Sequence, residues 1–208
     1  MLKIYGFPTF NVTKVLITAE ELNLPYEFCL INLAQGEQQS PNHLGRHPAG
    51  KVPVLEDDGQ FLYESATICR YLARRQNSTL YPSDPWPAAK VDQEVDFATH
   101  HIGRWLAVYF FEEYIKPKFL DETRDGEAVA EAEGWLRKFF PVVDQRLNEN
   151  EFLAGPDITI ADTIAWSYIN SIELTTASID GFGHLNRWYD AIKERPSIGR
   201  AMGNYPAM

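Results

Sequence analysis

The chain predicts an α/β N-terminal domain over residues 1–78, followed by an all-α helical domain over residues 87–208. Three observations predict it. Gly50 to Tyr71 reads as strand, tight turn, strand, helix. Before residue 78, strand-like runs alternate with helical ones. After a stretch with three prolines, Asn77 to Pro87, the apolar positions recur at helical spacing throughout.

The elements follow in order. Leu2 to Tyr5 is a strand, and Gly6-Phe7-Pro8-Thr9-Phe10 is a turn-forming loop. A helix is expected from about Asn11 to Leu22, with Asn11 as N-cap and Val12, Val15, Leu16 and Ala19 at helical spacing. Asn23-Leu24-Pro25 stops it, and Tyr26 to Ile31 is the second strand. Asn32 to Pro41 is a polar loop, and His43 to Arg46 makes a short helical turn. The run Val52 to Leu55 starts around Pro53, where a missing N–H is tolerated. Asp58-Gly59 is a hairpin signal that returns the chain through Phe61-Leu62-Tyr63. Glu64-Ser65 opens a helix with Ile68, Leu72 and Ala73 inward, and its unpaired N–H groups suit an anion. Parallel pairing of the first two strands needs a crossover, which the first helix supplies.

In the second half, Ile102, Trp105, Leu106, Tyr109 and Phe110 form one stripe, expected to close at Pro117. Glu127 to Leu147 is a further helix. Thr159 and Asp162 fit a capping box ahead of Ile164, Ala165, Tyr168 and Ile169. Leu185 to Glu194 is a late helix ended by Arg195-Pro196.

With 45% hydrophobic and 23% charged residues the chain is globular, and a net charge of −10 speaks against a nucleic-acid partner. The two cysteines, Cys29 and Cys69, make no disulfide framework and no metal spacing. The adjacent His100 and His101 diverge on a helix, and Pro48 breaks any helix that would align His43 with His47, so no metal is expected. There is no signal peptide and no membrane-length apolar run, which points to the cytoplasm.

Val52-Pro53, then Glu64-Ser65, then Ile68-Cys69-Arg70-Tyr71-Leu72 together resemble the cytosolic glutathione S-transferases, of phi, theta or bacterial nu type. The resemblance implies a thioredoxin-like first domain, glutathione as co-substrate, detoxification of electrophiles and a homodimer. It also implies that the Val52–Pro53 bond is cis and that Val52 pairs its backbone with glutathione. Glu64 and Ser65 would hold the γ-glutamyl end. Aligning Asn11-Val12-Thr13-Lys14-Val15 with the phi pattern Asn-Val-Ala-Arg-Val places Thr9 where those proteins carry a serine facing the glutathione sulfur. Thr9-x-Asn11 also resembles the bacterial nu type, in which both residues contact the thiol. In phi proteins a histidine and a lysine precede Ser-Pro, whereas here Gln38 and Gln39 do. Lys51 restores one cation for the glycyl carboxylate.

The chemistry required is modest. A free thiol has a pKa of about 8.5, and lowering it by about two units takes roughly 2.7 kcal/mol. A hydrogen bond to a charged group supplies roughly 1.5–3 kcal/mol, and a helix N-terminus adds ~0.3–1 kcal/mol. One hydroxyl at the start of the first helix is enough. Phe7, Phe10, Trp105 and Tyr109 would wall an apolar electrophile site, unless the stripe on the later helix is plain core. The expected activity is conjugation of glutathione to apolar electrophiles. Glutathione-dependent disulfide reduction and a non-catalytic interaction module of the same fold are the alternatives.

Overall fold

A computed structural model describes residues 1–205 and divides them into two compact units. The first takes Met1–Tyr81 together with the segment from Glu194 on, and the second takes Pro82–Lys193. The expected helical domain of residues 87–208 did not foresee this return of the chain end to the first unit.

In the first unit, strand β1 (Leu2–Gly6) leads to helix α1 (Phe10–Glu21) and strand β2 (Tyr26–Leu30). Two short 3₁₀ turns and helix α2 (Pro41–Leu44) follow. Strands β3 (Val54–Asp57) and β4 (Gln60–Tyr63) and helix α3 (Ser65–Arg75) complete the set. The sheet order is β2-β1-β3-β4. β1 runs parallel to β2, with Leu2 opposite Tyr26, and antiparallel to β3, with Ile4 opposite Leu55. Helices α1 and α3 pack together, burying Val12, Val15, Leu16 and Ala19 with Ile68, Cys69, Leu72 and Ala73. Helix α1 also comes close to the end of β1: a Cβ on Gly6 would lie 2.5 Å from Val12 Cγ1. Only glycine allows that approach, and it fixes the start of α1 beside the C-terminal end of β1.

The second unit is helical: α4 (Pro85–Phe97), α5 (Arg104–Phe110), α6 (Gly126–Glu149), α7 (Ile160–Ile169) and α8 (Gly183–Lys193). Every residue of α7 is buried. At its start the capping box is formed, with Asp162 Oδ2 accepting from the Thr159 N–H at 2.9 Å and from its hydroxyl at 3.1 Å. Among the described residues no helix is long and apolar enough to cross a membrane.

Three local expectations are corrected. Thr9, not Asn11, is the N-cap of α1. The linker is shorter than Asn77 to Pro87, because Asp84 caps α4 and its prolines sit in the first turn, where a missing N–H costs nothing. Pro117 does not close its helix: a π-helical stretch, Phe111–Leu120, carries the chain past it, and the wider i→i+5 register relieves the ring's clash with the preceding turn. The late helix does end ahead of Arg195-Pro196, at Lys193, and Pro196 is also the first residue of a further helix, α9 (Pro196–Gly203), which packs on α1. Arg195 and Ser197 clasp Glu21, and Arg200 pairs with Glu20 at 2.6 Å.

Candidate active site

The β1–α1 junction carries the central feature. Thr9 has the extended backbone of an N-cap, and its carbonyl accepts the N–H groups of Val12 and Thr13 at 3.0 and 2.9 Å. An N-cap threonine normally turns its hydroxyl onto the free N–H groups of the first turn. This one does not, and its Oγ1 is buried without a hydrogen-bond partner among the described residues. Leaving a buried hydroxyl unpaired costs roughly 1–3 kcal/mol, so this orphan calls for an explanation. Asn11 lies in the same turn, partly exposed, with its Oδ1 accepting from Lys14 Nζ at 3.0 Å. Tyr5, a hydroxyl on β1, is committed elsewhere: it donates to Glu56 Oε2 at 2.6 Å, and burial with that bond raises its pKa to about 12.

The loop before β3 holds the next group. The Val52–Pro53 bond is cis. Gly50, at φ +59°, brings the Gln38-Gln39 turn up to this loop: a Cβ there would sit 2.6 Å from Gln39 Nε2 and 2.9 Å from the Gln38 carbonyl. Gln38, Gln39, Lys51 and Val52 are therefore neighbours. Lys51 and Gln39 are exposed, while Gln38 Oε1 is a second buried polar atom with no partner. Beneath them lies a residue the sequence did not single out for this role. His43 is buried, and its Nε2 donates to the Lys51 carbonyl at 2.8 Å, which fixes the tautomer and pins the loop. The Ser40-Pro41 helix start, whose Ser40 Oγ accepts from the His43 N–H, is the sequence signal that could have found it.

Glu64 caps α3 at φ 70°, ψ 105°, a strained backbone for a residue with a Cβ, and makes no side-chain cap bond. Such strain costs on the order of 1–3 kcal/mol and clusters at binding sites. It leaves Glu64 exposed and the first N–H groups of α3, beside Ser65, without a side-chain acceptor.

The predicted aromatic wall is divided between the units. Phe7 and Phe10 are half-buried on either side of Thr9 in the first unit. In the second, Trp105 is half-buried and stacks on Trp135 at 5.6 Å, while Tyr109 is only 4% exposed within the helical core. Cys69 is fully buried with its pKa pushed up to about 11 by desolvation, and burial also raises that of Cys29. Neither is a ready nucleophile.

The description "Glutathione S-transferase, N-terminal domain" matches residues 1–74, and "Glutathione S-transferase, C-terminal domain" matches residues 100–200. Glutathione S-transferase 1 of Zea mays is 31% identical over 207 residues, covering 95% of this chain and 94% of that protein. Glutathione S-transferase hmp2 of Hypomyces subiculosus is 31% identical over 202 residues, covering 94% of each. A solved glutathione S-transferase-I bound with lactoylglutathione superposes with a TM-score of 0.90 at 31% identity, covering 98% of this chain and 99% of that one. The chain belongs to the glutathione S-transferase family, with the mixed-sheet first domain and helical second domain of its fold. It is a transferase whose co-substrate is glutathione.

Proposed function

We propose that the chain binds glutathione along the first unit, ionises its thiol at the start of α1, and transfers the thiolate to an apolar electrophile. The observation that carries this reading is the buried, unpartnered Thr9 hydroxyl. A sulfur anion arriving there accepts its hydrogen bond, in the partial positive field of the helix start. Thr9 does not act as a base; it donates. Asn11 supplies a second donor from the same turn. The Val52 backbone on the cis-proline loop pairs with the tripeptide, and Lys51 with Gln38 and Gln39 meets the glycyl carboxylate. Ser65 and Glu64 take the γ-glutamyl end at the α3 N-terminus. Phe7 and Phe10 flank the sulfur with apolar surface. Turnover of an activated aryl halide with glutathione tests the reaction. Disulfide turnover without any conjugation would replace it with the reductase reading.

The Ser65 assignment has its own test. Ser65→Ala is expected to weaken glutathione binding about ten- to a hundredfold, since removing one partner of a charged group costs roughly 1.5–3 kcal/mol. Calorimetric titration reads this, and an unchanged Kd removes Ser65 from the site.

The protein works in the cytoplasm as a homodimer. On the first unit Phe61 and Tyr71 are exposed around a concavity of about 260 Å³ whose rim includes Asp57 and Asp58. On the second, Trp105, Trp135 and Phe139 stack in a row, with Lys138 over Trp135 and Arg104 over Trp105. An acidic apolar hollow and a cationic aromatic ridge are complementary surfaces for a two-fold pair. Light scattering at micromolar concentration is expected to give twice the chain mass of 23.8 kDa, and a stable monomer would contradict the pairing.

A further inference from the structure

Lys14 is 1% exposed on α1, an unusual place for a lysine. Its ammonium donates to Asn11 Oδ1 at 3.0 Å. The packing around it is specific. From α3, Cys69 Sγ donates to the Lys14 carbonyl at 3.5 Å, and the charge of Glu64 faces the ammonium. From the chain end, Tyr205 reaches the neighbouring Thr13 at 2.7 Å, while Arg195 and Arg200 are taken by Glu21 and Glu20.

We propose that Lys14 is a positioning residue for thiolate formation: by binding Asn11 Oδ1 it fixes the Asn11 amide with its NH₂ end directed to the glutathione sulfur. This rests on the proposed site at the start of α1. An amide has one accepting end and one donating end. An ammonium has only donors, so it must take the oxygen, and the nitrogen is the end left to donate. The same contact polarises the amide and strengthens that donation. A neutral amine imposes no such choice, because it can accept from the NH₂ as readily as it donates to the oxygen. An amide turned over would present its oxygen to the sulfur and repel the anion. Burial brings the ammonium's pKa down from 10.5 to about 7, so both forms of Lys14 occur near neutrality. Arginine at this position would remain charged and hold the amide at any working pH.

The test is the pH dependence of kcat/KM for glutathione with an activated aryl halide, which follows groups of the free enzyme. Lys14→Arg and the parent are expected to match at about pH 6, and Lys14→Arg to exceed the parent a few-fold near pH 7.5, where Lys14 is largely neutral and the thiol still needs help to ionise. In an Asn11→Ala background the same comparison is expected to be flat, because the amide through which Lys14 acts is gone. A flat ratio with Asn11 present overturns the proposal, as does a ratio that still rises without it. If Thr9→Val and Asn11→Ala both retain parental kcat/KM, the failure lies with the proposed thiol site rather than with Lys14. Glutathione affinity by calorimetry confirms that each variant is folded at the pH extremes.

Discussion

Replacing Thr9 with valine is expected to lower kcat/KM for conjugation about a hundredfold near pH 6.5 and only a few-fold near pH 9. Valine keeps the branched shape, so the N-cap backbone and the contacts around it persist, and since the Thr9 side chain makes no cap bond, α1 loses nothing. What is lost is one donor to a sulfur anion, worth roughly 1.5–3 kcal/mol, or about one to two units of thiol pKa. At low pH the thiolate fraction carries that full loss, whereas at high pH the thiol ionises unaided. Glutathione affinity is expected to change little, because the contacts proposed for Val52, Lys51 and the Glu64-Ser65 pair remain. A pH-rate profile superimposable on the parent's would eliminate Thr9. A shift in Asn11→Ala alone would then pass the role to Asn11.

Asp162→Ala is expected to be the most destabilising single change in the helical unit. The carboxylate is fully buried and serves four donors. Oδ1 accepts from the Leu153 N–H and the Trp188 indole, each at 2.9 Å; Oδ2 accepts from the Thr159 N–H and hydroxyl. Burial pushes its pKa up, and the four donors pull against that. Truncation strands all four in a dry interior and leaves a cavity between α7 and the indole of Trp188, itself buried on α8. A loss of roughly 3–5 kcal/mol follows, which for a chain of this size is a fall in Tm of about 10 °C. Asp162→Asn is expected to fall between, since its NH₂ faces donors where an oxygen was. Thermal unfolding followed by circular dichroism measures both. Glutathione affinity at low temperature should survive, because the tripeptide's proposed contacts belong to the other unit. An unchanged Tm would mean that the box is ornament rather than support.

Much of this was legible in the sequence, for identifiable reasons. The β3–β4 hairpin follows from Asp58-Gly59, because the turn requires positive φ and both residues have it. The capping box at Thr159 and Asp162 follows from a fixed spacing that only a helix start satisfies. The misreadings share a cause as well. Side-chain capping propensity favours asparagine over threonine, so Asn11 looked like the N-cap; the actual cap uses no side chain, and propensity had nothing to report. Pro117 was read by the local rule that proline ends helices. A π-register overrides that rule there, whereas α8 does end at Lys193, ahead of Arg195-Pro196. Lys14 and His43 were invisible as site residues because nothing local distinguishes a buried lysine or histidine from an exposed one. Only packing of α1 against α3, and of α2 beneath the Lys51 carbonyl, reveals them.

The central claim is that glutathione ionises because a hydroxyl at the start of α1 is waiting for its sulfur. Its most direct test is the ultraviolet absorbance of the bound thiolate, titrated with pH in the parent and in Thr9→Val. The parent is expected to show a bound-thiol pKa about two units below the free value of about 8.5, and the variant to return most of the way to it. Equal bound-thiol pKa values in the two proteins, with glutathione bound in both, would contradict the account.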